Sequence, residues 1–148
     1  MDLSLRLGIG SDHAGFELKE SILAMLKEKG YSVKNFGTYT ADSVDYPDFV
    51  HPLATEVQEN KLDFGIVICG SGQGVCMTAN KYPGVRAALS WNNEIASLTR
   101  QHNDANVICL PARFVSNELA QEMTLTFLAT PFEGGRHQRR VEKISHLG

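Results

Sequence analysis

Five short apolar runs punctuate the chain: Leu5 to Ile9, Tyr31 to Phe36, Phe64 to Cys69, Val85 to Leu89 and Val107 to Leu110. They are rich in Val, Ile and Leu and alternate little with polar residues, as strands do when both faces of a parallel sheet are covered. Longer stretches with helical spacing separate them. In Phe16 to Lys29 the apolar positions Phe16, Leu18, Ile22, Leu23 and Leu26 share one helical face, and Pro47 to Asn60, Gly74 to Lys81, Asn92 to Gln101 and Ser116 to Leu128 also read as helices. Their ends carry chemical punctuation: Gly30 where the first helix should stop, Pro47 in a first turn, Ser116 as a cap. After Pro131 the pair Gly134-Gly135 breaks the pattern, and Arg136 to His146 reads as a short exposed helix, so residues 134–148 are expected to form a C-terminal arm on a single domain spanning 1–148. Strands alternating with helices predict an α/β fold. The expected form is a three-layer α/β/α sandwich around a five-stranded parallel, Rossmann-like sheet, with ligands at the carboxyl ends of the strands.

A hydrophobic fraction of 43% and a charged fraction of 21% are those of a water-soluble globular chain. The net charge of -3 removes the general attraction that draws a basic protein to nucleic acid, so anion binding has to be local. No apolar run approaches the roughly 20 residues that span a bilayer, and the first residues lack a signal-peptide pattern. A cytoplasmic location with no membrane partner is therefore expected. Cys69, Cys76 and Cys109 are odd in number and form no CxxC pair, which indicates neither a disulfide framework nor a zinc site.

Candidate chemistry concentrates at strand ends. The loop Cys69-Gly70-Ser71-Gly72-Gln73-Gly74 follows the third strand, and its glycines let backbone N–H groups turn inward to hold an anion or a developing oxyanion. It is not a Walker A loop, because no Gly-Lys-Ser or Gly-Lys-Thr follows, and its glycine spacing differs from GxGxxG. A thiol at such a place can be held as a thiolate by helix N-terminal N–H groups; taken alone, Cys69 reads first as a core residue ending an apolar strand.

Asp12-His13 follows the first strand, either as a turn pair or as a phosphate or hydroxyl ligand. His102-Asn103-Asp104-Ala105-Asn106 lies between the fourth helix and the fifth strand and is expected at the same carboxyl edge, where an imidazole beside an amide can move a proton and orient a hydroxyl. Arg136 and Arg140 stand at i and i+4, a phosphate clamp or a solvated basic terminus. Arg113 is a third cation or half of a surface ion pair. His51 and His146 read as surface residues without partners, and Trp91 and Met77 as packing residues.

Together, Gly10-Ser11-Asp12-His13-Ala14-Gly15, Asp45-Tyr46-Pro47, Cys69-Gly70-Ser71-Gly72, Ala79-Asn80-Lys81, Arg100-Gln101-His102-Asn103-Asp104-Ala105-Asn106 and Glu133-Gly134-Gly135-Arg136-His137 closely resemble the type B ribose-5-phosphate isomerases, a family shared with galactose-6-phosphate isomerase subunits. The resemblance runs in order from about residue 5 to about residue 145. It implies a cofactor-free and metal-free interconversion of ribose 5-phosphate and ribulose 5-phosphate through an enediolate, in the non-oxidative pentose phosphate pathway. It also implies a homodimer, or a dimer of dimers, with active sites shared between subunits. Carried over by position, Cys69 is the base at C2 and His102 the group that opens the furanose ring. Asp12, His13, Tyr46, Asn103 and the stretch Gly70, Ser71, Gly72, Gln73 and Gly74 are sugar and enediolate contacts. Arg113, Arg136 and Arg140, with His13, grip the phosphate. Ser71 stands where threonine is frequent in relatives, so the hydroxyl for a proton relay between O1 and O2 survives with looser positioning. Relatives without this cysteine use a glutamate farther along the loop, and here Met77 or Thr78 fills that place.

Three other readings compete. An isomerase of a six-carbon phosphate such as allose or galactose 6-phosphate differs only in pocket length. A non-catalytic nucleotide- or flavin-binding module shares the fold but needs an acidic ribose ligand in the fingerprint context, which is missing. A thiol redox protein needs the resolving cysteine of a CxxC pair.

Overall fold

A computed structural model describes residues 1–145, so His146 and the last residues of the expected arm lie outside the described residues. The strands β1 (Arg6–Ser11), β2 (Ser32–Asn35), β3 (Phe64–Cys69), β4 (Ala87–Leu89) and β5 (Val107–Pro111) form one sheet in the order β2-β1-β3-β5-β4. Every pairing is parallel. The helices are α1 (Phe16–Glu28), α2 (Pro47–Gln58), α3 (Gln73–Ala79), α4 (Asn93–Asn103), α5 (Asn117–Ala129) and α6 (Arg136–Ile144).

Two apolar layers sandwich the sheet. Ile66, Ile68, Ile108 and Leu110 point to a layer with Ile22, Leu23 and Leu26 of α1 and Met123 and Phe127 of α5. Their strand neighbours Val67, Cys69, Val107 and Cys109 point the other way, to Val50, Leu53 and Val57 of α2 and Val75 of α3. Burial on both faces is the reason the strands read as unbroken apolar runs.

The expected ends are local and hold. The N–H groups of Gly30 and Tyr31 bond the carbonyls of Lys27 and Leu26, both at 3.0 Å, which closes α1 with a Schellman turn. Pro47 opens α2, and Ser116 accepts the Leu119 N–H at 3.1 Å to cap α5. The fourth strand is shorter than its apolar run. Val85 N–H closes a turn on Tyr82 O at 2.9 Å, and the Asn106 side chain takes the Arg86 N–H at 2.8 Å, so pairing starts only at Ala87.

From β1 the chain departs to one edge of the sheet and from β3 to the other, so the carboxyl ends of these two neighbours flank the switch point where α/β sheets open a ligand crevice. The segment His102 to Asn106 is not there. It enters β5, and Gly65 N–H, at the start of β3, bonds Asn106 O at 2.9 Å, which fixes the segment at the amino edge. The expectation of a carboxyl-edge position for His102 and Asn103 is corrected on this point: in a parallel sheet a connection that enters a strand lies opposite to one that leaves it.

Arg100 secures this edge. Its guanidinium is buried, lies over the rings of Phe64 and Phe127, and donates to Asp104 Oδ1 at 2.8 Å, Ala105 O at 2.7 Å and Thr130 O at 3.1 Å. Every partner it needs is local to the end of α4 and the end of α5, so the turn carrying His102 is rigidly seated.

Candidate active site

At the carboxyl edge, Asp12, His13, Tyr46, Cys69, Ser71 and Arg113 surround an open pocket of about 510 Å³, with Gly70 and Gly74 contributing backbone and Ala14 and Phe114 its rim. Cys69 ends β3 and is 5% exposed, part of the apolar layer under α2 and α3 and also part of the pocket wall. The two readings of this residue are thus compatible: the thiol sits where core ends and pocket begins. Ala112 N–H to Cys69 O at 2.9 Å and Arg113 N–H to Gly70 O at 3.0 Å lock the ends of β3 and β5 together beneath it.

On the β1 side, Asp12 is 7% exposed and its Oδ1 accepts the Gly15 N–H at 3.1 Å, so the carboxylate also shapes the loop that enters α1. His13 Nδ1 accepts the Val44 N–H at 3.2 Å. A neutral ring held this way carries its proton on Nε2 and presents a donor.

The glycine loop is shaped by close approach. Gly72 caps α3 at φ +74°, a left-handed conformation, and a Cβ there would meet Leu89 Cδ1 at 2.5 Å. Ser71 Oγ accepts the Gln73 N–H at 3.3 Å, and both side chains stay exposed. The Tyr46 ring lies across Gly74, so that a Cβ on Gly74 would run into its Cζ. The end of the tyrosine is the group that must move, because Tyr46 is partly exposed. Gly74→Ala is therefore expected to leave the melting temperature unchanged or slightly higher, since alanine favours the helix by about 0.5–1 kcal/mol. The displaced ring is expected to lower kcat/KM by roughly 10- to 100-fold; a thermal melt beside steady-state kinetics checks both.

A second cluster forms at the amino edge. The His102 and His137 rings stack with centroids 4.4 Å apart at 15° between planes, and His137 Nε2 lies 3.5 Å from Glu133 Oε1. α6 packs on α4, which puts the exposed Arg136 and Arg140 on the same side as His102 and Asn103. Within one chain, then, Cys69, Ser71, Asp12, His13, Tyr46 and Arg113 come together, whereas His102, Asn103, Arg136 and Arg140 gather on the opposite edge of the sheet.

Several smaller readings change. Trp91 and Met77 are 53% and 65% exposed rather than packed, and His51 has a partner, its Nδ1 lying 2.6 Å from Tyr82 Oη. For the pairing of Glu133 with His137, the only signal in the sequence is their i,i+4 spacing. The Cys76 thiol has a depressed pKa, lowered to about 7 by a hydrogen bond from the Cys109 thiol, with help from the Leu89 backbone and Asn80. Burial pushes Cys109 well up.

Comparison with known proteins is consistent with this geometry. A family model described as Ribose/Galactose Isomerase matches residues 7–144. Ribose-5-phosphate isomerase B of Escherichia coli K12 is 42% identical over 142 residues, covering 96% of this chain and 95% of the relative. A probable ribose-5-phosphate isomerase B of Mycoplasma genitalium is 47% identical over 144 residues, with 96% and 95% covered. The crystal structure of a ribose 5-phosphate isomerase from Thermotoga maritima superposes with a TM-score of 0.93 at 48% identity, covering 95% of this chain and 97% of that one. The Mycoplasma genitalium enzyme with bound ribulose-5-phosphate gives a TM-score of 0.93 at 46% identity, with 97% and 96% covered.

Proposed function

This chain belongs to the ribose/galactose isomerase family, and on that premise we propose that it interconverts ribose 5-phosphate and ribulose 5-phosphate with Cys69 as the base. The single observation that carries the assignment is the thiol at the end of β3, walled into a polar pocket by the glycine loop and by Asp12 and His13. Identity of 42% to 47% to ribose-5-phosphate isomerase B relatives over nearly the full length supports the pentose reaction.

The chemistry asks for three things. A base must take the proton from C2 and return it to C1, which the Cys69 thiolate does without a change of oxidation state in the protein. The enediolate oxygen needs donors, which the backbone of the Gly70 to Gly74 loop supplies, while the Ser71 hydroxyl passes the proton between O1 and O2. The phosphate needs cations that hold the open chain in place, the part of Arg113, Arg136 and Arg140 together with the Nε2 donor of His13. His102 opens the furanose ring beforehand by moving a proton between the ring oxygen and O1. Asn103, Tyr46 and Gln73 orient hydroxyls.

The split of these residues between two edges of the sheet is the argument for a dimer. One chain holds the base beside Arg113 and His13, whereas His102, Asn103, Arg136 and Arg140 of the same chain face elsewhere. A two-fold pair brings the amino-edge cluster of each subunit to the carboxyl-edge pocket of the other, so a single isologous interface completes two sites. Exposed Phe114, Trp91 and Met77 are apolar surface available to such an interface. The family match over 7–144 supports one isomerase domain over 1–148, with α6 as its arm. No described helix is long and apolar enough to cross a membrane.

The test is a substrate panel. kcat/KM for ribose 5-phosphate is expected to exceed that for allose 6-phosphate and galactose 6-phosphate by at least about tenfold, roughly the discrimination an extra carbon permits in a fitted pocket. Equal or greater efficiency on a hexose phosphate overturns the pentose assignment.

A further inference from the structure

We propose that His102, Glu133 and His137 form a binding site for one zinc-class divalent cation, and that an ion held there inhibits the isomerase by withdrawing the His102 imidazole from proton transfer. The binding half stands on the cluster alone. The inhibitory half rests on the assignment of His102 as the ring-opening group.

The two imidazoles and the carboxylate offer donor atoms that all lie within 4.8 Å of one another. Two nitrogens and one oxygen are a donor set that Zn²⁺ takes at about 2.0–2.2 Å, with a fourth position left for water or a substrate oxygen. Mg²⁺ and Ca²⁺ favour oxygen shells, so the donor types discriminate against them. The sequence offered no Cys/His spacing for such a site, because the donors come from separate segments joined only in the fold.

That joining is firm. Glu133 N–H bonds the carbonyl of Gln101, the residue before His102, at 3.1 Å, and His137 N–H bonds Gly134 O at 3.0 Å in the first turn of α6. His137 is 9% exposed and already has the Glu133 carboxylate 3.5 Å from its Nε2, whereas His102 and Glu133 are more open. An approaching ion therefore meets the two open groups from solvent and is completed by the buried one. Arg136 and Arg140 on the same helix oppose a cation, which sets this site below a closed four-ligand site in affinity.

The stacked rings explain why binding and catalysis exclude each other. Two imidazoles 4.4 Å apart and within 15° of parallel cannot both aim an in-plane lone pair at one ion. His102, the more exposed ring, has to turn to reach the metal. In turning it leaves the orientation from which it serves the sugar.

Zn²⁺ is titrated calorimetrically into the full chain and into Glu133→Gln, His137→Gln and Cys69→Ser, the last as a control for thiol binding. One ion per chain is expected in the parent and in Cys69→Ser, with affinity lowered at least about tenfold in the other two. Co²⁺ in the same site is expected to show d–d bands without a thiolate charge-transfer band. Zn²⁺ slows turnover of the parent in competition with ribose 5-phosphate, and Glu133→Gln keeps its metal-free turnover while losing this inhibition. Unchanged affinity in both Glu133→Gln and His137→Gln, or loss of binding in Cys69→Ser, overturns the site. Binding that depends on Glu133 and His137 but leaves turnover untouched upholds those two ligands and overturns the inhibition.

Discussion

Replacing Cys69 by alanine is expected to lower kcat for ribose 5-phosphate by roughly 10²- to 10⁴-fold, the usual worth of a positioned general base. Exchange of the C2 hydrogen with deuterated solvent, followed by NMR, is expected to stop with it. KM should move little, because the proposed phosphate ligands Arg113, Arg136, Arg140 and His13 are untouched. The fold should survive. Cys69 is a small side chain at the margin of the α2 and α3 layer, and losing one sulfur there costs about 1 kcal/mol. Cys76→Ser is the informative control. Cys76 has the depressed pKa, lowered to about 7, and lies against the Ala87 carbonyl at 3.5 Å, away from the pocket wall. A thiol-modifying reagent near neutral pH is expected to reach Cys76 too, so inactivation by alkylation does not identify the base and the two substitutions do. Full turnover is expected in Cys76→Ser. Near-normal proton exchange in Cys69→Ala assigns the base to another group.

What could be read in the sequence was whatever its own neighbours determine. Phe64 to Cys69 was legible as a strand because burial on both faces leaves no polar position in it, and Gly30, Pro47 and Ser116 marked helix ends because each acts through hydrogen bonds or dihedral limits within a few residues. Val85 and Arg86 were less legible. Their withdrawal from β4 depends on the Asn106 side chain, which lies far along the chain on the approach to β5. The loop at Cys69 was legible as a candidate site through its composition, whereas the seat of Tyr46 over Gly74 required the packing of α2 on α3.

His102 shows a different limit. Its residue type, beside an amide at a loop, was the clue to proton transfer, and its edge of the sheet was misjudged. The order helix-then-strand already fixes the amino edge. Its neighbours Glu133 and His137 reach it only because α6 folds back on α4. Trp91 and Met77, apolar by type, read as packing residues, yet each is more than half exposed. Surface of that kind becomes meaningful only when a second copy is considered.

Mixing two inactive variants is expected to restore activity, a result that follows from the proposed sharing of each site between two subunits. Under the proposed roles Cys69→Ala lacks the base and His102→Gln lacks the ring-opening group, and in the proposed dimer each variant alone has two defective sites. In a mixed dimer one site combines the substituted loop of the first chain with the substituted turn of the second, and is doubly defective. The other site takes Cys69 from the second chain and His102 from the first, and is wholly intact. With random pairing half of the dimers are mixed and half of their sites work, so an equimolar, subunit-exchanged sample is expected to reach about a quarter of the parent activity. A site confined to one chain gives no recovery under the same conditions, because neither variant chain carries both groups. The measurement is turnover after exchange, with mixed dimers counted by native mass spectrometry of chains that differ in mass. Recovery that rises in step with the mixed-dimer fraction shows that Cys69 and His102 act across a subunit boundary. Mixed dimers that remain inactive place the two groups in separate functions and remove the reason for the shared site.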